Sequence, residues 1–235
     1  MKKLNFILSV LILFISSNIY SQTIDTRPAY TFSFEANGSP NAGLNYIYQY
    51  TDVKGSAFIN DNWEIANVVL NSGYVFKSVK IKMDAQQNKF IFNRNDSSFE
   101  LPDNVKSVII FPNTNDATQK IIYNKGIQIN AQVNANKFIQ VIAEGKISLY
   151  KYFKKDIEEY NEYGNATNFK RFVDMQQYYI YMNGEYNAIN ISKKNFDKTL
   201  KAKNATLDAF IKQKDLSGKD EKEWVLAINY YNSLP

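Results

Sequence analysis

Clusters of asparagine and aspartate divide this chain into short segments, and their spacing limits the folds that it can adopt. Such clusters stand at residues 60–62, 93–96 and 113–116. Asn and Asp side chains bond to nearby backbone and tolerate left-handed conformations, so the clusters are typical of tight turns. The segments between them are rich in Val, Ile, Phe and Tyr, which favour strands. The pattern predicts a sheet of short strands joined by tight turns.

Two of these segments indicate how their strands are covered. Between residues 75 and 84 the side chains alternate, and the apolar side consists of Val75, Val79, Ile81 and Met83. This alternation predicts a strand with one face on the core. Residues 105–111 end in four consecutive apolar side chains. That run predicts a strand buried on both faces.

The clearest hairpin signal lies in the second half of the chain. An Asn-Gly pair at residues 183–184 is typical of a two-residue turn between antiparallel strands. Such a turn pairs Tyr181 with Tyr186 and Tyr179 with Ala188 across the strands. A Glu-Gly pair at 144–145 predicts a second two-residue turn, and residues 152–170 predict a strand end followed by a mobile loop.

Alternation within the first hairpin separates its side chains into two faces. One face carries Tyr179, Tyr181 and Tyr186, and the other carries Tyr178, Ile180, Met182 and Ile189. We expect the aliphatic face to pack on the core. Tyrosine hydroxyls prefer water or a hydrogen-bond partner, so we expect the tyrosine face to be partly exposed and to be a candidate binding surface. The alternative is a sheet covered on both sides, with the C-terminal helices lying over these tyrosines, which would then belong to the core.

The spacing of apolar residues changes after residue 191. Apolar residues now recur every three or four positions, in three groups: Phe196 and Leu200; Leu207, Phe210 and Ile211; Trp224, Val225, Ile228 and Tyr231. This period predicts three short helices that need the preceding sheet as a partner. The predicted caps are Ser192, then Asn204 or Thr206, then Ser217. We expect Trp224 and Ile228 to dock the last helix.

The chain of 235 residues contains no cysteine and no histidine. These absences exclude disulfides, thiol nucleophiles, Ser-His-Asp triads and histidine-ligated metals. The chemistry that remains belongs to carboxylates, lysine and tyrosine, and the sequence predicts no cofactor. Loops starting at Asn60 and Asn113 contain many oxygen ligands but lack the glycine and the final glutamate of a calcium loop. We therefore interpret them as solvated turns.

The first 21 residues have the pattern of a secretory signal peptide. Lys2 and Lys3 precede an apolar run at residues 4–15, and small polar residues follow. The run is shorter than the roughly 20 apolar residues that a membrane span needs. We expect cleavage before Gln22 and a periplasmic or secreted protein, with no membrane span after cleavage. An uncleaved membrane anchor is the alternative.

Charge is nearly balanced once the leader is set aside. Residues 22–130 carry ten basic and ten acidic side chains, and residues 131–235 carry sixteen and thirteen. Nucleic-acid-binding proteins concentrate basic residues in one patch. The even distribution therefore argues against a nucleic-acid partner.

Two motifs contain residue types that could act in catalysis. Ser148 and Lys151 match the S-x-x-K pattern, but a strand at that position would place them on opposite faces. Glu158 and Glu159 are adjacent carboxylates in a lysine-rich stretch, which is typical of a solvated surface. Carboxylate pairs that only the fold brings together could hydrolyse glycosides without histidine or cysteine.

A set of aromatic and glycine patterns lies at residues 55–60 with Trp63, 78–84, 142–149, 178–190 and 223–232. With these segments the chain resembles an uncharacterised family of exported Bacteroidota envelope proteins that has no assigned activity. The resemblance implies an envelope location and a sheet followed by helices. It assigns no functional residue.

Together these patterns predict an α+β protein: an antiparallel twisted sheet or open barrel followed by three short C-terminal helices. Residues 22–130 form a β-rich region, and residues 131–235 form hairpins plus helices, within one domain or two. The predicted function is that of an exported, non-catalytic cell-envelope protein that binds an envelope protein or a glycan. The alternative is a carboxylate-based glycan hydrolase.

Overall fold

A computed structural model describes residues 45–94, 96–112, 119–163, 168–201 and 203–235. Within these residues the chain forms eleven strands: β1 Val53–Lys54, β2 Glu64–Leu70, β3 Val75–Asp84, β4 Lys89–Arg94, β5 Ser97–Glu100, β6 Val105–Phe111, β7 Ile121–Asn124, β8 Ile139–Ala143, β9 Ser148–Asn161, β10 Asn168–Met182 and β11 Glu185–Ile189. Three helices follow: α1 Lys193–Leu200, α2 Ala205–Gln213 and α3 Glu221–Ser233. The predicted leader at residues 1–21 and the turn cluster at 113–116 lie outside the described residues.

All of the described strands belong to one sheet, which does not close on itself. Its order is β1-β10-β9-β8-β7-β6-β2-β3-β4-β5. The remaining strand, β11, lies outside this path and pairs with β10. The sheet with three C-terminal helices confirms the predicted α+β layout. The sheet is mixed rather than purely antiparallel, because β1 pairs with β10 in parallel, with Val53 opposite Lys170. The β7–β8 pair joins the strands of regions 22–130 and 131–235.

Strands β9 and β10 form a long ribbon where the sequence predicted a loop. Their pairing runs without a break from Ser148 opposite Tyr181 to Asn161 opposite Asn168. Three direct cross-strand pairs along it have opposite charges, and in one of them, Arg171 with Glu158, the charged atoms lie 2.9 Å apart. Cross-strand ion pairs stabilise a sheet without apolar alternation. The loop prediction was therefore wrong for residues 152–161 and 168–170, and residues 164–167 lie outside the described residues.

The predicted hairpin around residues 144–145 forms, but its turn is not two residues long, because four residues separate β8 from β9. A side chain of α3 occupies this loop. The Ile147 N–H donates to Asn232 Oδ1 over 2.9 Å, and Asn232 Nδ2 donates to the Ile147 carbonyl over 2.8 Å. The wider loop lets Asn232 take the place of a strand partner for this backbone.

Two strands depart from their predicted coverage. In β3, Val79, Ile81 and Met83 are buried as expected, but Val75 is 40% exposed. A β-bulge between β2 and β3 separates Val75 from the other three, and such bulges shift the alternation. In β6, one face is buried, but Phe111 on the other face is 37% exposed, so the prediction of burial on both faces was wrong.

The helices pack on the aliphatic face of the β10–β11 hairpin, as predicted. Trp224 and Ile228 are fully buried in a core that includes Leu149, Ile180 and Leu207. The Ser192 and Asn204 caps are confirmed, since each side chain accepts a bond from the first turn of its helix.

The predicted cap of α3 was wrong. Asp220 caps that helix by accepting from the Glu223 N–H. The Ser217 hydroxyl instead donates to Glu223 Oε2 over 2.8 Å. Ser217 therefore holds the segment before the helix rather than the helix start.

Candidate binding site

The tyrosine hairpin has the predicted turn and register. Both turn residues have positive φ, 55° at Asn183 and 85° at Gly184, which a two-residue hairpin turn requires. Tyr181 pairs with Tyr186 and Tyr179 pairs with Ala188. The opposite face, with Tyr178, Ile180, Met182 and Ile189, packs against the helices.

The tyrosine face itself is largely covered. Tyr179 is only 4% exposed and packs with Tyr150, Tyr152, Val133 and Ile139, so its predicted exposure was wrong. Its hydroxyl accepts a bond from Asn130 Nδ2 over 3.2 Å.

Tyr181 and Tyr186 remain half-buried, with ring centroids 4.7 Å apart. Apolar side chains of the β7–β8 connection, Ile127, Ile129 and Val133, pack into the same cluster. We use the name tyrosine cluster for these three side chains together with the tyrosines that they contact, which are Tyr150, Tyr152, Tyr179, Tyr181 and Tyr186. Its role as a contact surface stays a prediction.

A different aromatic group surrounds an open volume. A cavity of about 270 Å³ is lined by Tyr46, Tyr48, Phe58, Trp63, Lys82, Ile91 and Ser98. We call it the aromatic pocket. Its four aromatic lining residues come from the chain before β2, and its other three come from β3, β4 and β5.

The sheet supplies the floor of the aromatic pocket. Lys82 of β3 lies directly opposite Ile91 of β4. Both alternate with core residues of their strands, Met83 and Phe90, so period two turns them to the face away from that core. Ser98 reaches the same face from β5.

Backbone pairing holds the aromatic segment against the sheet. The Tyr46 N–H donates to the Ser98 carbonyl over 2.9 Å. Phe58 forms an isolated bridge with Asp84, and the Ile59 N–H donates to the Met83 carbonyl over 3.0 Å. These bonds fix both aromatic segments on β3 and β5, so the walls of the pocket are anchored at their backbone.

The side chains of the pocket make ring contacts with one another. The Phe58 ring centroid lies 6.1 Å from that of Tyr46 and 5.8 Å from that of Tyr48. Lys82 Nζ stands 5.2 Å from the Phe58 centroid and 4.9 Å from the Trp63 centroid. Both distances fall within the range of cation–π attraction. The ammonium group is therefore held between two aromatic rings at the cavity.

A buried carboxylate anchors the wall from behind. Asp84 is fully buried and accepts bonds from the Tyr46 hydroxyl over 2.7 Å, from the Gln86 and Gln87 N–H groups over 2.9 Å each, and from Gln87 Nε2 over 3.2 Å. The Tyr50 hydroxyl lies 3.3 Å from the same carboxylate and 2.8 Å from Gln86 Oε1. These bonds explain how a buried acid is accommodated at this position.

The same network keeps the two tyrosines protonated. Burial, followed by the hydrogen bond to Asp84, raises the pKa of Tyr46 far above its usual value. Burial is also the main cause that raises the pKa of Tyr50 to about 12. The Tyr46 hydroxyl therefore remains a donor to Asp84 even at a pH where an ordinary tyrosine ionises.

The composition of the lining determines the chemistry available. Aromatic faces can stack on the apolar faces of a ligand, while Lys82 and the Ser98 hydroxyl can make polar bonds. The seven described lining residues include no carboxylate and therefore no acid–base pair. Among the described residues, no group of three or more acidic side chains is placed to hold a metal ion.

The catalytic motifs considered from the sequence lie apart from the pocket. Ser148 donates to the Gly145 carbonyl over 3.3 Å, whereas Lys151 Nζ bonds to Glu221 Oε2 over 3.1 Å. The two side chains lie on opposite faces of β9, as predicted. Glu158 is exposed and paired with Arg171, which agrees with a solvated surface.

Sequence reasoning missed the aromatic pocket. The available signal was the alternation of Tyr46, Tyr48 and Tyr50, which indicates aromatic side chains on one side of an extended segment. Nothing local linked that segment to Trp63 or to Lys82. Strand pairing brings the three parts together.

No family model, curated protein or solved structure matches this chain. The resemblance to exported Bacteroidota proteins therefore stays a prediction. None of the helices in the described residues is both long and apolar enough to span a membrane.

Proposed function

We propose that this chain is an exported, non-catalytic protein of the cell envelope that binds a glycan in the aromatic pocket. One observation carries the proposal: four half-exposed or partly exposed aromatic rings and one ammonium group surround an open volume of about 270 Å³. Sugars present apolar C–H faces and polar hydroxyls together. Aromatic walls with a few convergent polar groups match that combination.

The size of the pocket favours a glycan over a protein partner. Specific protein interfaces bury about 800 Å² on each partner and are broad, whereas small-molecule sites are concave, with volumes of about 300–1,000 Å³. The aromatic pocket is concave and lies close to the lower end of that range. It would accommodate one or two sugar rings of a longer chain.

Glycoside hydrolysis is less well supported. Hydrolases of this kind use two carboxyl groups about 5–9 Å apart at the scissile bond. The described lining has none, and Asp84, behind the wall, already accepts four hydrogen bonds. Release of reducing ends from a bound glycan would restore the hydrolase alternative.

Export is the part of the proposal that rests on sequence alone. The predicted leader at residues 1–21 would direct the chain to the periplasm or the medium. N-terminal sequencing of the exported protein should find Gln22 as the first residue. An intact Met1 on exported protein would contradict cleavage.

The test of binding is a screen of envelope polysaccharide fractions against the mature protein. Trp63→Ala and Tyr48→Ala should each lose binding while retaining the circular dichroism spectrum of the wild type. Tyr186→Ala, in the tyrosine cluster, is the matched control and should bind normally. Loss of binding in Tyr186→Ala alone would transfer the site to the hairpin, and capture of a protein without any glycan would overturn the proposal.

A further inference from the structure

The aromatic pocket contains a charged group whose partner is not supplied by the described lining. Lys82 is half-buried, and no ion pair joins it to a carboxylate within the described parts of the chain. Other lysines are paired, such as Lys89 with Glu100 at 2.8 Å and Lys151 with Glu221 at 3.1 Å. The Lys82 ammonium instead faces two aromatic rings.

We infer that the aromatic pocket selects an acidic glycan, one whose sugar carries a carboxylate, and that Lys82 binds that carboxylate. This inference rests on the proposed function and names its ligand class. The only charge on the described lining is positive. Among the described lining residues, a carboxylate would therefore meet one positive charge and no negative one.

The surroundings of Lys82 make this preference physically reasonable. Partial burial removes water from the ammonium group, and a neutral sugar offers it only uncharged oxygen acceptors. A carboxylate also supplies the opposite charge, and bonds between an ammonium and a carboxylate are among the shorter and stronger hydrogen bonds in proteins. The rings of Phe58 and Trp63 hold the ammonium at the cavity, so less side-chain freedom is lost on binding.

The neighbouring strand residue strengthens the positive field. Lys80 lies two positions before Lys82 on β3, so it is on the same face of the sheet. It is exposed and does not line the pocket. Lys80 can attract an acidic glycan over a distance without being part of the described lining, which makes it a suitable control position.

The experiment compares one sugar with and without its charge. Galacturonic acid oligosaccharides and the same oligosaccharides as methyl esters are titrated into the mature protein, with neutral gluco-oligosaccharides as a third probe. The acid form should bind about tenfold more tightly than the ester, because only the acid offers the ammonium an opposite charge. Lys82→Gln should remove that difference, and Lys80→Gln should preserve most of it.

The outcomes separate this inference from the proposed function. Equal or tighter binding of the ester or the neutral sugars would overturn the acidic preference and leave glycan binding intact. An acid preference that survives in Lys82→Gln would overturn the assignment to Lys82. Failure of all three probes to bind would contradict both the inference and the proposed function.

Discussion

The two tryptophans of this chain have contrasting environments. Trp224 of α3 is fully buried, stacks edge-on against Phe196 at 5.3 Å, and donates its indole N–H to the Gly218 carbonyl over 2.9 Å. Trp63 is half-buried and lies beside an open cavity with Lys82 at its face. The first has every contact that a core residue needs. The second has a surface that nothing in the described residues fills.

The tyrosines show the same contrast. Tyr179 and Tyr150 belong to one buried cluster, and side chains of the β7–β8 connection pack against that cluster. Tyr46 and Tyr48 pack against Phe58 but leave a volume open in front of Lys82. Abundant aromatic residues therefore do not identify a site in this protein. The proposed site differs from the other aromatic clusters in that an open volume lies beside a polar group.

The largest expected effect concerns the buried tryptophan. Trp224→Ala should lower the free energy of unfolding by about 3–5 kcal/mol, since it removes a large buried side chain and leaves a cavity. Trp63→Ala should cost about 1 kcal/mol or less, as substitutions near the surface do. Urea denaturation measures both. Leu226→Ala, on the exposed side of the same helix, is the control, and equal losses for the two tryptophans would remove the contrast.

The second largest loss of stability is expected at Gly218, whose carbonyl accepts the indole bond of Trp224. Gly218 has φ of 73°, and a Cβ there would lie 2.2 Å from Phe196 Cβ. Gly218→Ala should cost about 2–4 kcal/mol, because overpacking adds to left-handed strain. Gly184→Ala is the matched control, with φ of 85° and open space around it, and should cost only about 1 kcal/mol. Equal losses of thermal stability in the two variants would show that the Phe196 side chain moves away and avoids the clash.

A smaller effect distinguishes the two tyrosine environments. Tyr179→Phe removes a buried hydroxyl that accepts from Asn130 and should cost about 0.5–1.5 kcal/mol. Tyr48→Phe, at an exposed pocket position, should leave the free energy of unfolding unchanged. If Tyr48→Phe were the more costly change in denaturation, the pocket wall rather than the tyrosine cluster would be the tightly packed region.

The smallest effect appears only in alkaline solution. The folded-state pKa of Tyr50 is raised by burial to about 12 from an ordinary 10.0, so the folded protein binds more protons than the unfolded chain between these values. The contribution of the protonated Tyr50 to the free energy of unfolding is therefore fully present below about pH 10. It is lost as the pH rises towards about 12. Tyr50→Phe should make the urea midpoint fall less steeply over that range. An identical slope in the variant would show that Tyr50 titrates normally.

The hairpin turn and the docked helix could be predicted from the sequence, because residues close together in the chain determine both. The Asn183–Gly184 turn needs two residues of positive φ, and that requirement alone set the register of Tyr181 and Tyr186. The apolar stripe around Trp224 likewise predicted a docked helix. In both cases adjacent residues carry the whole signal.

Long-range pairing explains what the sequence did not predict. The β9–β10 ribbon is stabilised by opposite charges across strands, as with Arg171 and Glu158, and such pairs have no signature along one strand. The aromatic pocket joins Trp63 to Lys82 and Ser98 from separate strands. The spacing of these three residues in the sequence gives no indication that the fold brings them together.

The most direct test of the central claim uses the contrast between the tryptophans. Tryptophan emission is recorded while galacturonic acid oligosaccharide is added to the wild type and to Trp63→Phe. The wild type should show a saturable change in emission, because the ligand covers Trp63, while the buried Trp224 gives a constant background. Trp63→Phe should show no change. A change of equal size in Trp63→Phe, or a wild-type emission that stays constant throughout, would contradict the assignment of the aromatic pocket as the glycan site.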